Sequence, residues 1–555
     1  MFDKILAAVL AAAVACPLLA QQPAAPKREP TPEEWRADLK VLMTGVQKLH
    51  ANMYHATSRA SFDSAAKDLD ERIPSLQRHE IIAGMMRIVA MVGDGHTNIY
   101  PSRDQVIGFH QLPVALYLFK DGMFVRAADS AHADLVGARV VGIGDATIDD
   151  AYARAKPYIG RDNEMGAKFW APYLLVMPEM LSAMKLSPSK DSARFELEKD
   201  GTRRTVWLSS AGLVRMAPAD TDMSWWRRTG WVDARDKSAT ADPLWLRMRP
   251  DSTLWWFTLL QGSRTGYAQI NQVRNGDKES FEDFSEHLMT FVDTAKLEKL
   301  VIDMRLNRGG NGSLRKPLVR GLLKRPNINK PGHLFILTGR STWSASQFVL
   351  DDMSEFSDAM FVGEPSGSRG NAYGDSRQIK LPNSGITARA SVFYWQDWHP
   401  EDTRPWIAPD IAAEMTFADY ESDRDGALAA ALAFKAAPTI VETMRTLLTG
   451  GDTTGARAAF EKYRNDSAHV YIDMHKLLDD VALVFYNRRD LPRATWAFAL
   501  AAHEFPRDVR AQMNVVAMYT ESGNKELERA ALRRVLEIDP SNSVATNRLR
   551  ALQSQ

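Results

Sequence analysis

Leu334-Phe335-Ile336-Leu337-Thr338-Gly339-Arg340-Ser341-Thr342-Trp343-Ser344-Ala345-Ser346 passes from a short apolar run into a turn, and Phe348, Val349 and Met353 follow at helical spacing. Four apolar residues and a threonine stopped by glycine read as a buried strand, and the later periodicity as a helix packed against it. Ser344 therefore stands at a strand-to-helix turn. In an open sheet this is the carboxyl end of a strand, where ligands collect, and the helix start offers unpaired N–H groups and partial positive charge. The place suits a nucleophile, although a serine there ordinarily serves as a helix N-cap.

The neighbouring segments extend the pattern. Leu300 to Met304 reads as a second buried strand and Met360 to Gly363 as a third, while Phe281, Phe284, Leu288 and Phe291 mark one face of a helix before them. Alternation of strands and helices from Tyr267 to Ile411 predicts a mostly parallel sheet covered by helices, an α/β core. The strand at 300–304 runs into Asp303-Met304-Arg305-Leu306-Asn307-Arg308-Gly309-Gly310-Asn311-Gly312. Such a glycine-rich turn lets the backbone approach a ligand and aim N–H groups at an anion, as an oxyanion hole requires. A nucleotide loop is disfavoured because Lys-Ser/Thr does not follow the last glycine.

Toward the front of the chain, Thr31-Pro32-Glu33-Glu34 carries a capping box and Trp35, Leu39, Leu42, Val46 and Leu49 repeat at helical spacing. A further helix around Ile81 to Val92 stops at Gly93, and Asp94-Gly95-His96-Thr97 follows. Between Leu112 and Leu208 the pattern is strand-like. One predicted hairpin surrounds Asp121-Gly122 and another Asp200-Gly201. Between them, Leu135-Val136-Gly137 and Val140 to Asp145 loosely resemble a PDZ module, whose strand edge captures peptide ends. Beyond Phe417 the composition turns to Ala-rich helix. There Tyr486, Asp490 and Pro506 align with Tyr519, Asn524 and Pro540 at the tetratricopeptide period of about 34 residues.

With 555 residues, and about 150 per domain, several domains are expected. Apolar residues make up 45% and charged residues 25%, which excludes disorder as the main state. Balance of 69 Lys+Arg by 69 Asp+Glu offers no long-range field for nucleic acid or anionic lipid, so neither is an expected partner. The apolar run Ile5 to Ala20, led by Lys4 and followed by the Pro-rich stretch 21–30, reads as a secretory signal cleaved after Ala20. Lipidation of Cys16 is the alternative. Cys16 is the single cysteine, so ordinary cleavage removes all thiol chemistry, and no later segment reads as a membrane span. The expected location is secreted or periplasmic.

A nucleophilic serine needs a base. Among 12 histidines His96 stands out, because Gly93 and Gly95 hold it in a tight loop at a helix end. Ser182-Ala183-Met184-Lys185 and Ser187-Pro188-Ser189-Lys190 fit the Ser-x-x-Lys pattern but lack its companion motifs. His79-Glu80 lacks a second histidine, which removes a zincin reading, and no Gly-x-Ser-x-Gly elbow occurs. Trp225, Trp226, Trp231, Trp245, Trp255 and Trp256 could line a groove, with packing the more ordinary use.

Taken together, Gly93-Asp94-Gly95-His96-Thr97, Ile302 to Gly310 and Thr342-Trp343-Ser344-Ala345-Ser346 resemble the tail-specific, or C-terminal-processing, serine peptidase family. Phe361 to Gly367, Leu381 to Gly385 and Pro405 to Ile411 match in the same order, so the resemblance spans Thr31 to Ile411. It implies a crotonase-like or ClpP-like ββα core with helical and PDZ-like additions and no cofactor or metal. The units expected are a signal at 1–20, a linker at 21–30, a helical region at 31–100, a degenerate PDZ-like β-rich unit at 101–250, a catalytic core at 251–416 and a tetratricopeptide-like unit at 417–555.

By this resemblance Ser344 is the nucleophile, and the N–H groups of Ala345 and of Gly309 or Gly310 hold the oxyanion. Arg369 occupies the region where one branch places a lysine base, and arginine cannot give up its proton. The other branch, which includes tricorn core protease, uses a histidine, and His96 fits. Its acidic partner would be Asp402 or Glu401, Asp402 preferred. Arg308 replaces the family's small residue and would narrow the oxyanion loop or recruit a substrate carboxylate. The activity implied is hydrolysis of peptides or unfolded protein tails through an acyl-enzyme, with a protein partner possible on the helical unit. The competing expectation is an inactive peptide-binding scaffold.

Overall fold

The computed structural model describes residues 28–213, 228–238, 254–397 and 399–553. At its centre lies a six-stranded sheet in the order Ile411–Ala412, Met360–Gly363, Leu334–Thr338, Lys299–Asp303, Thr265–Ile270, Trp255–Leu259. The strands are parallel except Trp255–Leu259, an antiparallel edge. Ile302 stands beside Ile336 and Ile336 beside Phe361, so both βα turns of interest leave the same end of the sheet. Thr265–Ile270 and Leu334–Thr338 are buried on both faces, which is why Leu334–Thr338 reads as an apolar run rather than an alternating one. The helix Phe281–Thr294 buries Phe281, Phe284 and Leu288 against it. Trp255 packs on Phe281 and Phe284, and Trp256 donates from Nε1 to Gln269 Oε1 at 2.6 Å. These two tryptophans fill the core and line no groove. Trp231 begins the short strand Trp231–Asp233, and Trp225, Trp226 and Trp245 lie outside the described residues.

The first described helix, Pro32–Leu49, opens on the Thr31/Glu34 capping box and buries Trp35, Leu39, Leu42 and Val46. It packs on an antiparallel three-stranded sheet of Asn98–Ile99, Thr387–Ala390 and Arg377–Lys380. Pairing of Asn98 with Arg389 and of Ile99 with Ala388 fixes the loop carrying His96 to a segment far along the chain. The helix Arg78–Ala90 precedes that loop, and Gly93 closes it at φ 87°.

Residues 101–213 hold an antiparallel sheet of Val114–Phe119, Gly122–Asp129, Arg139–Ile143, Ser192–Lys199 and Thr202–Ser209. Asp200 and Gly201 both have positive φ, the type I′ geometry whose twist matches a hairpin. This stretch, expected to be β-rich, also contains the helices Ile148–Ala155, Glu164–Leu174 and Pro178–Ala183. Pro172 inside the second and Pro178 at the start of the third break the helical signal into short pieces.

From Ile440 to Gln553 the chain is a series of helices packed in successive pairs. Asp490 and Asn524, aligned by the sequence repeat, cap the helices Leu491–Glu504 and Lys525–Ile538. The helical unit leans on the core: Tyr471 Oη donates to Glu414 Oε1 at 2.5 Å, and Lys168 Nζ reaches Glu414 Oε2 at 3.1 Å. Among the described residues no helix is long and apolar enough to cross a membrane.

Asp38 joins the front helix to the core. Its carboxylate, fully buried, accepts from the Asn383 N–H at 2.9 Å and Nδ2 at 3.0 Å and from the Ser384 N–H at 2.7 Å. Asp38→Ala leaves the two main-chain donors unpaired and is expected to lower stability by about 2–4 kcal/mol, read as a lower urea midpoint, with the helices beyond 440 unfolding as before.

Candidate active site

Ser344 lies between the strand Leu334–Thr338 and the helix Ala345–Phe356 at φ 61°, ψ −129°. A non-glycine residue pays about 1–3 kcal/mol for such a conformation. Its surroundings hold it there: Thr342 Oγ1 donates to the Met304 carbonyl at 2.9 Å, Trp343 N–H to the Asn307 carbonyl at 3.1 Å, and Ser344 N–H to Ser368 Oγ at 3.0 Å. The Ser344 hydroxyl makes no cap hydrogen bond with the helix it precedes. It sits 3.0 Å from His96 Nε2.

Asp94 shapes the histidine loop. Its Oδ1 accepts from the N–H groups of His96 and Thr97, both at 2.8 Å, and from Ser391 Oγ at 2.7 Å. His50 Nδ1 accepts the Asn52 N–H at 3.0 Å, so His50 Nε2 carries the proton it donates to Asp94 Oδ2 at 2.9 Å. Burial opposes ionisation of Asp94, yet His50, Ser391 and Thr97 hold its pKa below the ordinary carboxylate value. The His96 ring stacks on Trp343 at 3.9 Å between centroids. Burial pushes the His96 pKa below 6.5, opposed by the charges of Asp162, Asp94 and Asp375.

Among the described residues no side chain bonds His96 Nδ1, and the Tyr373 main chain lies beside the ring. Neither acid expected from the sequence bonds the His96 ring. Asp402 accepts from Arg404 N–H and Nε, each at 2.8 Å, and Glu401 is exposed. A partner two residues away costs little ordering entropy, which favours the Arg404 pairing. The carboxylate nearest in role is Asp162, which accepts from Gly95 N–H at 2.9 Å, Trp343 Nε1 at 3.1 Å and Ser368 Oγ at 3.2 Å. Burial pushes its pKa up, and the His96 ring opposes that.

The glycine pair divides its roles. Gly309 N–H donates to Asn307 Oδ1 at 2.9 Å and is spent, whereas Gly310 N–H has no acceptor among the described residues. Ala345 N–H, at the first position of its helix, is likewise unspent. Gly309 has φ 103°, and a Cβ there would lie 2.7 Å from Ser344 Cβ, so only glycine lets the turn abut the serine. Arg308 turns away. Its guanidinium covers Phe169 and Trp170 at 4.8 and 5.2 Å and does not line the cleft beside Ser344.

His96, Ser344, Gly310 and Ala345 open together into a cleft of about 500 Å³, with Phe348 and Trp395 on its wall. Among the described residues no group of three or more His, Cys, Asp or Glu could hold a metal. A serine hydroxyl beside an imidazole and two unspent amides can attack a carbonyl and stabilise the resulting oxyanion. Ser182 and Ser187, by contrast, bond His79 Nε2 at 3.2 Å and the Ser192 carbonyl at 2.7 Å.

No family model and no curated protein matches the chain. Solved structures do. A mutant of CPAF matches at 10% identity and TM-score 0.50, covering 73% of this chain and 99% of that one. Mature CPAF with lactacystin matches at 12% and 0.48, covering 71% and 96%. The photosystem II C-terminal processing protease matches at 14% and 0.32, covering 68% and 92%. The chain shares its fold with CPAF.

Asp162 and Ser368 bond the loops that carry His96 and Ser344, and the sequence reading does not single them out. Asp162 precedes Asn163, the side-chain cap of Glu164–Leu174, and the pair reads as a helix start alone. Asn307-Arg308-Gly309 did carry a signal, since an Asn side chain commonly accepts from the N–H two residues on. Because burial lowers the His96 pKa from its ordinary value of about 6.5, the rate at which Ser344 reacts with a fluorophosphonate is expected to reach half its plateau at a pH below that value, measured as a pH–rate profile of labelling.

Proposed function

We propose that the chain is a serine peptidase that hydrolyses peptide bonds in peptides or unfolded protein tails. The observation carrying this reading is the 3.0 Å approach of His96 Nε2 to Ser344 Oγ beside the unspent amides of Gly310 and Ala345. His96 accepts the hydroxyl proton as Oγ attacks the scissile carbonyl. The oxyanion forms against the two amides, and His96 returns the proton to the leaving amine. Water then attacks the acyl carbonyl as His96 takes its proton, and His96 returns that proton to Ser344 Oγ as the ester bond breaks and the acid leaves. The half-buried hydroxyl and the cleft give an extended chain access.

The likeness in fold to CPAF supports the same reaction class. The Lys4-led apolar run 5–20 supports export to a periplasmic or extracellular site, where unfolded protein ends are accessible. We assign the helical unit beyond 440 a tetratricopeptide-like role in holding a protein partner, on the strength of the 34-residue spacing of its caps.

Hydrolysis of a quenched peptide library tests the reading. Ser344→Ala is expected to abolish turnover and His96→Ala to lower kcat/KM by about 10⁴-fold. Gly310→Ala, whose Cβ would lie 2.2 Å from the Val273 carbonyl, should displace the oxyanion amide and cost about 10²–10³-fold. Asp402→Asn and Glu401→Gln should stay within about threefold of the parent. Full activity in Ser344→Ala would overturn the assignment, and an inactive parent would favour the scaffold.

A further inference from the structure

The missing acid of the site has a physical consequence. An imidazolium forms each time His96 takes the serine proton, and no carboxylate bonds Nδ1 to meet it. The charged and titratable groups around the ring are Asp94, Asp162, Asp375, His50, Arg369 and the Tyr373 strand. Asp94 already faces His50 and three further donors. Asp375 is exposed, where solvent screens it. Arg369 is exposed too, and its Nε contacts only the main-chain carbonyl of Asp162, at 2.8 Å.

Asp162 differs from all of these. It is 4% exposed, and the three donors to its carboxylate, Gly95 N–H, Trp343 Nε1–H and Ser368 Oγ–H, are uncharged. Each also reaches the reacting groups by one covalent, stacking or hydrogen-bonding step. Gly95 adjoins His96, the Trp343 indole lies on the imidazole, and Ser368 Oγ holds the N–H of Ser344. We infer that Asp162 is the positioning residue of the site, holding base, stacked indole and nucleophile in register and supplying the counter-charge for the His96 imidazolium through space. A buried negative charge close to an imidazole favours its protonated form, and burial of the pair leaves that attraction poorly screened. The inference rests on the peptidase reading of Ser344 and His96.

The test is the pH dependence of kcat/KM on a peptide substrate, for the full chain. Asp162→Asn removes the charge, so His96 protonates less readily. The acidic limb is expected to move down by about one pH unit or more, with a fall in kcat/KM of at least about 100-fold. Asp162→Glu, which keeps the charge, should restore the limb toward the parent position. Trp343→Phe keeps a ring on His96 and deletes one donor to the carboxylate. Asp162 then holds its charge less firmly, so His96 loses part of its counter-charge and the limb should move down as well, by less than in Asp162→Asn, which keeps the inference testable if Asp162→Asn does not fold. A purely structural role predicts lower rates with an unmoved limb in every variant, and that result overturns the inference. Wild-type activity in Ser344→Ala would instead show that the peptidase reading itself is wrong.

Discussion

Ser344 is held in a backbone conformation that L-residues avoid, and the segments around it are arranged to keep it there. The turn at Gly309 abuts its Cβ, Asn307 accepts from Trp343, Met304 accepts from Thr342, and Ser368 takes its own N–H. That conformation turns the hydroxyl from helix capping toward the imidazole. A cost of about 1–3 kcal/mol is spread over two βα turns of one parallel sheet, whose strand registers leave little room for relaxation. Exposure of a strained serine at the end of a sheet is thus an outcome of sheet geometry.

The second requirement is that a histidine from the front of the chain reach this place. Covalent proximity does not provide it. Pairing of Asn98–Ile99 with Thr387–Ala390, the Asp38 clamp on Asn383 and Ser384, and the buried Asp94 network together fix the His96 loop. Helix, loop and sheet are therefore one unit with the core, despite their separation in sequence. Desolvation of the pair then sets the electrostatics. It lowers the pKa of His96 and raises that of Asp162, and each group opposes the shift of the other.

Local signals were the readable ones. The Thr31 capping box, the glycine stop at 93, the Asp200-Gly201 turn and the doubly buried strands each depend on residues within a few positions. The order of the motifs around His96, the glycine turn and Ser344 pointed to the same pocket that the structure assembles. Long-range pairing was not readable. Asp162 meets Gly95, Trp343 and Ser368 across many intervening residues, and its place before a helix cap disguises it. Asp402, placed late in the core where an acid was wanted, instead bonds Arg404 beside it. The choice between Gly309 and Gly310 turned on one side chain, Asn307. Arg308 found an aromatic face in another unit, which nothing near it in sequence announces.

The most direct test of the account is a crystal structure of the full chain reacted with a peptide boronic acid. The expected result is continuous density from Ser344 Oγ to a tetrahedral boron, with one boronate oxygen between the N–H groups of Gly310 and Ala345 and His96 Nε2 within hydrogen-bond distance. An adduct on another residue, or a Ser344 hydroxyl turned away from both His96 and those amides, would contradict it.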